Sequence, residues 1–497
     1  MPVAHPKLLR ALGVVSLASG ALLLTGALPA SAIPGISATS TGTILTALTS
    51  FSPGPTTFPS GAAASDTTFY TSDPTFNQVD VYSYASGPAT PLALPTGSTY
   101  PTDLALSSDY RYLYVVASST NQVVKYDLTA PGTPTVFAVA SGPYGIILSP
   151  DDSVFYLASN SNYQIYAYDA VTGTELHHST SNGYQEPGQL GVSADGAKVF
   201  ATYLGSGSPL IDAGLRILNS DLTDSAHNDM AVSAEGLAVE ANGDLAVGTT
   251  TGSVGTVAEY TPAGVATGKS TTSGHDPYRL ILSRDGNGVY VADRQLGQLF
   301  AVDTASHAAA IGPFGSVGDP TQMALTPDGL TLFVAGGGGG IGHEVFPFSI
   351  AQVTLTGPAG IAPGAGPVTF HVQIADGQTP VGDYSAETVT FDVLNASKAV
   401  VATSTVSPDT SGSASAAIDL SALPSGTYSV RATLDPPAGA AVIATATGFQ
   451  ISSAALAATG VTTSVPAVAG SLLLFGGAVL LVLRRRVARQ NGLNTTA

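Results

Sequence analysis

The side chains best suited to chemistry in this 497-residue chain gather around a recurring proline. Tyr100, Tyr144 and Tyr278 adjoin Pro101, Pro143 and Pro277, while Glu186, Asp276 and Asp319 stand immediately before Pro187, Pro277 and Pro320. His227, His275, Arg279 and Arg294 fall in or beside the same loops. Imidazole and carboxylate both donate to divalent cations, so a metal site would draw on His227, His275, Asp276 and Asp319. Their spacing matches no metal motif, and solvation or capping is the ordinary role of loop His and Asp. The three tyrosines can pack on sugar faces or apolar side chains, with Asp276, Asp319 and Glu186 accepting hydrogen bonds beside them. The plainer reading is that each Tyr caps the strand that follows it. There is no Gly-x-Ser-x-Gly elbow, no His-Glu-x-x-His and no Gly-x-x-x-x-Gly-Lys-Ser/Thr. The run from Gly336 to Gly340 has no following Lys and reads as a mobile loop, not a phosphate cradle; no cofactor is implied.

The element that must position these residues is a repeat. Pro101-Thr-Asp-Leu-Ala-Leu, Pro143-Tyr-Gly-Ile-Ile-Leu, Pro187-Gly-Gln-Leu-Gly-Val, Ala234-Glu-Gly-Leu-Ala-Val, Pro277-Tyr-Arg-Leu-Ile-Leu and Pro320-Thr-Gln-Met-Ala-Leu are separated by 42, 44, 47, 43 and 43 residues. That period fits four-stranded propeller blades better than helical solenoids. After each anchor comes a turn such as Ser193-Ala-Asp-Gly or Thr326-Pro-Asp-Gly, in which Asp bonds nearby amides and Gly accepts positive φ. A second strand such as Leu113-Tyr-Val-Val and a third such as Gln122-Val-Val-Lys-Tyr-Asp follow.

In this order of units the chain resembles the YVTN β-propeller repeat family of bacterial surface proteins, over about Phe69 to Phe348. The unit at Ala234 departs by lacking the Pro. Phe69-Tyr-Thr with Gln78-Val-Asp-Val-Tyr makes a further copy ahead of the first anchor, so seven blades are expected and six are the alternative. The first blade needs an inner strand from Gly54 to Ala64 or one from the other end. Ring closure would protect sheet edges from aggregation. Seven-bladed lactonases also resemble this repeat class, and their carboxylate, His and Arg come from separate blades. That resemblance makes Glu186, His275 and Arg279 or Arg294 the residues to test for a hydrolase.

The termini direct the chain out of the cell. Lys7 and Arg10 precede an apolar stretch from Ala11 to Leu28, and Ala30-Ser-Ala32 offers a signal peptidase its small residues, with cleavage before Ile33. At the other end the pentapeptide Leu456, Ala457, Ala458, Thr459 and Gly460 is followed by an apolar run from Pro466 to Leu483 and then Arg484-Arg-Arg486. A helix over that run would be about 27 Å long, close to the hydrocarbon thickness, with the arginines on the cytoplasmic side. This ending resembles a Gram-positive sortase signal, in its Leu-Ala-x-Thr-Gly variant, with Ala457 where the commoner motif has Pro and Ala458 at the variable position. The resemblance implies that a sortase cleaves between Thr459 and Gly460 and links Thr459 to cell-wall peptidoglycan. An ordinary single-span anchor is the alternative.

Composition agrees with an exported β protein: 10% charged residues, 56 Gly, 33 Pro and no Cys, so stability must come from packing and not disulfides. Six of the 16 basic residues lie in the terminal segments, whereas all 34 acidic residues lie between Ile33 and Thr459, leaving 10 basic residues and a net charge of −24 there. Such a surface repels phosphate backbones, so nucleic acid is excluded as a partner. Beyond Ile350 the period breaks into alternating runs such as Val368-Thr-Phe-His-Val-Gln-Ile and Thr427-Tyr-Ser-Val-Arg-Ala-Thr-Leu. Leu423-Pro-Ser-Gly-Thr-Tyr428-Ser-Val430 resembles bacterial immunoglobulin-like domains, which implies a Tyr packed at a sandwich corner. The expected organisation is a signal peptide (1–32), a lead-in that can supply a closing strand (33–65), an all-β propeller (66–350), a β-sandwich spacer (351–452), a linker with the sorting motif (453–465), a transmembrane helix (466–483) and a basic tail (484–497). The expected function is binding, adhesion or structure at the cell surface, with an unknown extracellular protein or glycan as partner; the alternative is the lactonase-like hydrolase.

Overall fold

The computed structural model describes residues 36–48, 50–51, 59–181, 186–205, 213–230, 232–307, 310–338, 341–376, 384–435 and 442–452. The expected signal peptide, transmembrane run and basic tail lie outside these residues, as does the whole sorting motif of Leu456, Ala457, Ala458, Thr459 and Gly460. Among the described residues no helix is long and apolar enough to cross a membrane, and the one helical turn is the 3-10 segment Ser118–Thr120. The chain is all-β, in a propeller-like arrangement of successive antiparallel meanders.

Each repeat folds as its own sheet. The second sheet runs Pro101–Leu106, Tyr112–Ala117, Gln122–Asp127 and Thr135–Ala138, in that order across the sheet. The third to sixth sheets repeat this plan, starting from the inner strands Pro143–Leu148, Pro187–Val192, Ser233–Val239 and Pro277–Leu282. The first sheet begins with Ala62–Ala64, preceded by Pro59, which stands 42 residues before Pro101. The seventh begins with Pro320–Leu325, continues through Thr331–Gly338 and Ile341–Gly357, and takes an outer strand, Ile36–Ala47, from the start of the chain. Gly336 to Gly338, expected in a mobile loop, thus belong to a strand.

The turn chemistry explains why the first hairpin recurs. Ser107, Ser149, Ser193, Ser283 and Thr326 each donate a hydroxyl to the Asp two residues on, at 2.6 to 2.7 Å. The same Asp accepts a backbone N–H beyond the turn, as Asp109 does from Arg111 at 3.0 Å. Between sheets the core is aromatic. Phe155 is fully buried and stacks on Tyr168 with ring centroids 5.0 Å apart, and Tyr114 packs on its other flank.

Successive inner strands pack side by side, and Ala62–Ala64 lies against both Pro101–Leu106 and Pro320–Leu325. Side-chain hydroxyls stitch the inner strands: Ser60 Oγ donates to Pro101 O at 3.3 Å, Thr102 Oγ1 to Tyr144 O at 3.1 Å, and Thr321 Oγ1 to Pro59 O.

The strand Ile341–Gly357 continues past the seventh sheet. Its first half pairs with Thr331–Gly338, its second half pairs with Val368–Ala375, and Ile36–Ala47 runs along its opposite edge. The boundary drawn at 350/351 therefore falls inside one strand. Val368–Ala375 alternates buried and exposed residues and pairs with Ser413–Ile418. A second sheet of Gly360–Ile361, Val442–Ile451, Gly426–Asp435, Thr388–Leu394 and Val400–Val406 shares one core with it, built on Val353, Leu355, Phe370, Phe391 and Phe449. Tyr428 is buried there, and its hydroxyl donates to Pro424 O at 2.9 Å.

Asp80, in the strand Gln78–Ser83, is 4% exposed and its Oδ2 has no partner. Burial, aided by the charge of Asp73, pushes its pKa up to about 6, against the opposing amide of Gln78 at 2.7 Å. The folded chain then holds a proton that the unfolded chain has released, so this group's contribution falls as pH rises from about 4 to about 6. Asp80→Asn should match wild type below pH 4 and exceed it at pH 7 by about 2 kcal/mol, read from urea midpoints. A less stable variant at pH 7 would contradict this.

Candidate functional site

The site is built by a bulge. In every inner strand from the second sheet to the seventh, pairing with the next strand slips just after the anchor residue, between Pro101 and Leu104 or Pro277 and Arg279, for example. A bulge re-aims the residue it carries. The third residue of each anchor in turn is Asp103, Gly145, Gln189, Gly236, Arg279 and Gln322, with Gly61 at that place after Pro59. Glycine is required where neighbours crowd: a Cβ on Gly236 would lie 2.6 Å from Pro277 O. Asp103, Gly145, Gln189, Arg279 and Gln322 line a cavity of about 190 Å³, together with Ser60, Thr102 and Tyr144.

Within the cavity the polar groups are tied to one another across sheets. Asp103 Oδ2 accepts Ile146 N–H at 3.0 Å and Asp103 Oδ1 accepts Gln322 Nε2 at 3.2 Å. Gln189 reaches furthest: Oε1 accepts Leu237 N–H at 3.0 Å and Leu280 N–H at 3.1 Å, while Nε2 donates to Leu280 O at 2.8 Å. One amide so ties the fourth sheet to the fifth and sixth. Burial raises the pKa of Asp103, opposed by the Ile146 and Leu104 amides, the Arg279 charge and Gln322. Burial likewise raises that of Tyr144, helped by Tyr278 and opposed by Arg279.

Beside the cavity Tyr278 is held between two guanidinium groups, Arg279 at 4.2 Å and Arg294 at 4.1 Å from its ring centroid. Arg279 Nη2 also meets the Tyr278 hydroxyl at 3.3 Å, and Arg279 Nε is buried without a partner. Arg294 is committed elsewhere, to Asp276 at 3.0 Å and Glu235 at 3.2 Å. Burial opposes the charge on Arg294, but Glu235 and Asp276 outweigh it and hold its pKa above the ordinary value.

Of the residues singled out from the sequence, Tyr144 and Arg279 line the cavity, and Tyr278, Asp276 and Arg294 form the cluster beside it. Tyr100 is 51% exposed with φ of 61°, held by its N–H on Asn77 Oδ1 at 2.8 Å, and lies outside the lining. Glu186 and Asp319 are exposed, and His275 is half-buried with its N–H on Asp293. His227 sits on the outer strand Asp224–Met230 beside Asp229. No grouping of three metal-capable side chains among the described residues includes His227, His275, Asp276 or Asp319. Glu186 and His275 are likewise absent from the described lining that holds Arg279, so a carboxylate, imidazole and guanidinium do not meet there. Sequence reasoning missed Asp103, Gln189 and Gln322. The signal was present in the third column of the repeat, where three glycines alternate with long polar side chains in an otherwise apolar strand.

No family model matches this chain, and no curated protein matches it. Among solved structures, hydrazine synthase of Kuenenia stuttgartiensis is similar, at 17% identity and a TM-score of 0.48, covering 57% of this chain and 94% of that one.

Gln189→Leu would strip the partners from two backbone amides and one carbonyl of neighbouring inner strands. A loss of about 2–4 kcal/mol in urea unfolding is expected, with Gln189→Glu intermediate because it keeps the acceptor; an unchanged midpoint for the Leu variant would show that water replaces the tether.

Proposed function

We propose that this chain is an exported cell-surface recognition protein: a seven-bladed YVTN-like propeller that binds a polar group at its axis, carried on an immunoglobulin-like stalk and a sortase-type anchor. The observation that carries the binding reading is the lining of the axial cavity. It offers a carboxylate, a guanidinium, two carboxamides and a tyrosine hydroxyl, with no imidazole among the described lining residues to activate a nucleophile. Donors and acceptors are balanced in charge, as Asp103 offsets Arg279. That favours a neutral polyhydroxyl or amide group over an anion, and a sugar ring against Tyr144 and Tyr278 fits this chemistry. The volume suits a single residue-sized group, well below the range of drug-sized pockets, so the partner would present one terminal unit of a glycan or one side chain of an extracellular protein.

Glycan and peptide arrays probed with the chain are expected to give hits that Arg279→Met and Asp103→Asn each reduce at least tenfold, with melting temperatures close to wild type. Hits unaffected by both variants would overturn the axial site. Lactone hydrolysis by wild type that Arg279→Met abolishes would instead establish the hydrolase reading.

The anchoring proposal rests on the order of the pentapeptide from Leu456 to Gly460, the apolar run and Arg484-Arg-Arg486. Covalent linkage to peptidoglycan through Thr459 predicts wall-bound protein that boiling detergent does not release, and its loss to the medium or membrane fraction in Thr459→Ala. Because Ala458 stands at the variable position of the motif, Ala458→Glu should leave the linkage intact. Intact Arg486-containing tails in mass spectra of the surface protein would sink the proposal.

A further inference from the structure

The fifth sheet breaks the repeat at Glu240, Ala246 and Glu259, and these meet a fourth departure, His307 of the sixth sheet, at one buried spot. Where other sheets open the first hairpin with Ser107, Ser149, Ser193, Ser283 or Thr326, this one has Glu240, with the turn itself kept by Gly243 N–H on Glu240 O at 2.9 Å. Where the middle strands of the other six sheets carry Tyr70, Tyr114, Tyr156, Phe200, Tyr290 and Phe333, the fifth has Ala246, which vacates the volume of a ring. Opposite Ala246 stands Glu259, at the register position of Lys125, Ala167 and Ala301. The turn of the sixth sheet then supplies His307 at the place Gly173 holds in the third: His307 N–H bonds Asp303 O at 2.9 Å as Gly173 N–H bonds Asp169 O at 2.8 Å. His307 has φ of 48°, a left-handed conformation that costs an imidazole-bearing residue more than glycine.

The side chains of Glu240, Glu259 and His307 are 2%, 1% and 0% exposed. His307 Nε2 lies 2.8 Å from Glu240 Oε1 and 3.9 Å from Glu259 Oε1, and the three donor atoms fall within 4.8 Å of one another. His307 Nδ1 is buried with no partner, so packing an imidazole here carries a polar penalty in addition to the backbone one. Two costs borne at one residue, beside a carboxylate pair for which a ring was given up, fit a selected site more readily than filler.

We propose that Glu240, Glu259 and His307 bind a divalent cation of the zinc class between the fifth and sixth sheets. One imidazole nitrogen and two carboxylate oxygens form a three-residue ligand set with a place left for water. Ligand atoms about 2 Å from a tetrahedral ion sit about 3.3 Å apart, so the separations found here need adjustments of about 1 Å. Two carboxylates and a neutral imidazole also balance a double positive charge, which suits a dry site. Lys269 competes for one of the ligand oxygens: its Nζ is 2.8 Å from Glu259 Oε1, and at 40% side-chain exposure it can withdraw into water.

Calorimetric titration of the chelator-stripped full-length chain with Zn2+ tests this, with Co2+ as a spectroscopic probe. One saturable equivalent, a rise in melting temperature and the strong visible bands of low-coordinate Co2+ are expected, and Glu240→Gln should weaken Zn2+ binding at least tenfold. Lys269→Met removes the competitor and should tighten binding severalfold, an outcome that a purely structural ion cluster would not give. Absence of saturable binding in wild type, or affinity unchanged by both Glu240→Gln and Lys269→Met, would overturn the site.

Discussion

The constraint that governs this molecule is crowding between successive inner strands. They pack side by side, close enough that a Cβ on Gly61 would lie 2.7 Å from Asp103 Cα and one on Gly188 would lie 3.0 Å from Glu235 O. Two kinds of residue survive such crowding: those with no side chain, and those whose long polar side chain lies along the gap and satisfies a neighbour's backbone. Gly61 and Gly236 are of the first kind, and Asp103 and Gln189 are of the second. The cavity follows from it, because the glycines leave space and the polar residues furnish it. Sheets, hairpins and aromatic layers further out serve to bring these strands to one place.

The repeat was legible because its turn chemistry is local. A Ser or Thr hydroxyl on an Asp two residues away needs only four or five residues to close, so the pattern reappears wherever the hairpin does. The site was less legible, for a reason of geometry. The chemistry-bearing residues visible in the sequence flank each Pro, as Tyr100, Tyr144 and Tyr278 do, whereas the bulge turns the third residue of the anchor inward. Tyr100 consequently ended in solvent while Asp103, three positions on, faces the cavity.

Long-range pairing was least visible. Ile36–Ala47 is rich in Ser, Thr and Ala and carries little apolar periodicity, so nothing within it announces a strand. It acquires that identity from Ile341–Gly357, a partner more than 300 positions away. The fifth sheet teaches the complementary lesson. The Pro missing at Ala234 marks one departure, but Glu240, Ala246 and Glu259 depart together, and departures that coincide in space carry more information than the consensus they break.

The strand Ile341–Gly357 also decides how the molecule carries a load. It pairs with Thr331–Gly338 over one span and with Val368–Ala375 over the other, and Ile36–Ala47 lies antiparallel along both spans. A pull along this pair acts in shear, so its backbone bonds resist together, whereas those of a peeled hairpin break in succession. With one continuous strand joining the seventh sheet to Val368–Ala375, tension entering through the later strands arrives at Pro320–Leu325 and Ala62–Ala64 with little compliance on the way. The seam where Thr321 meets Pro59 is then the point at which such a pull is felt.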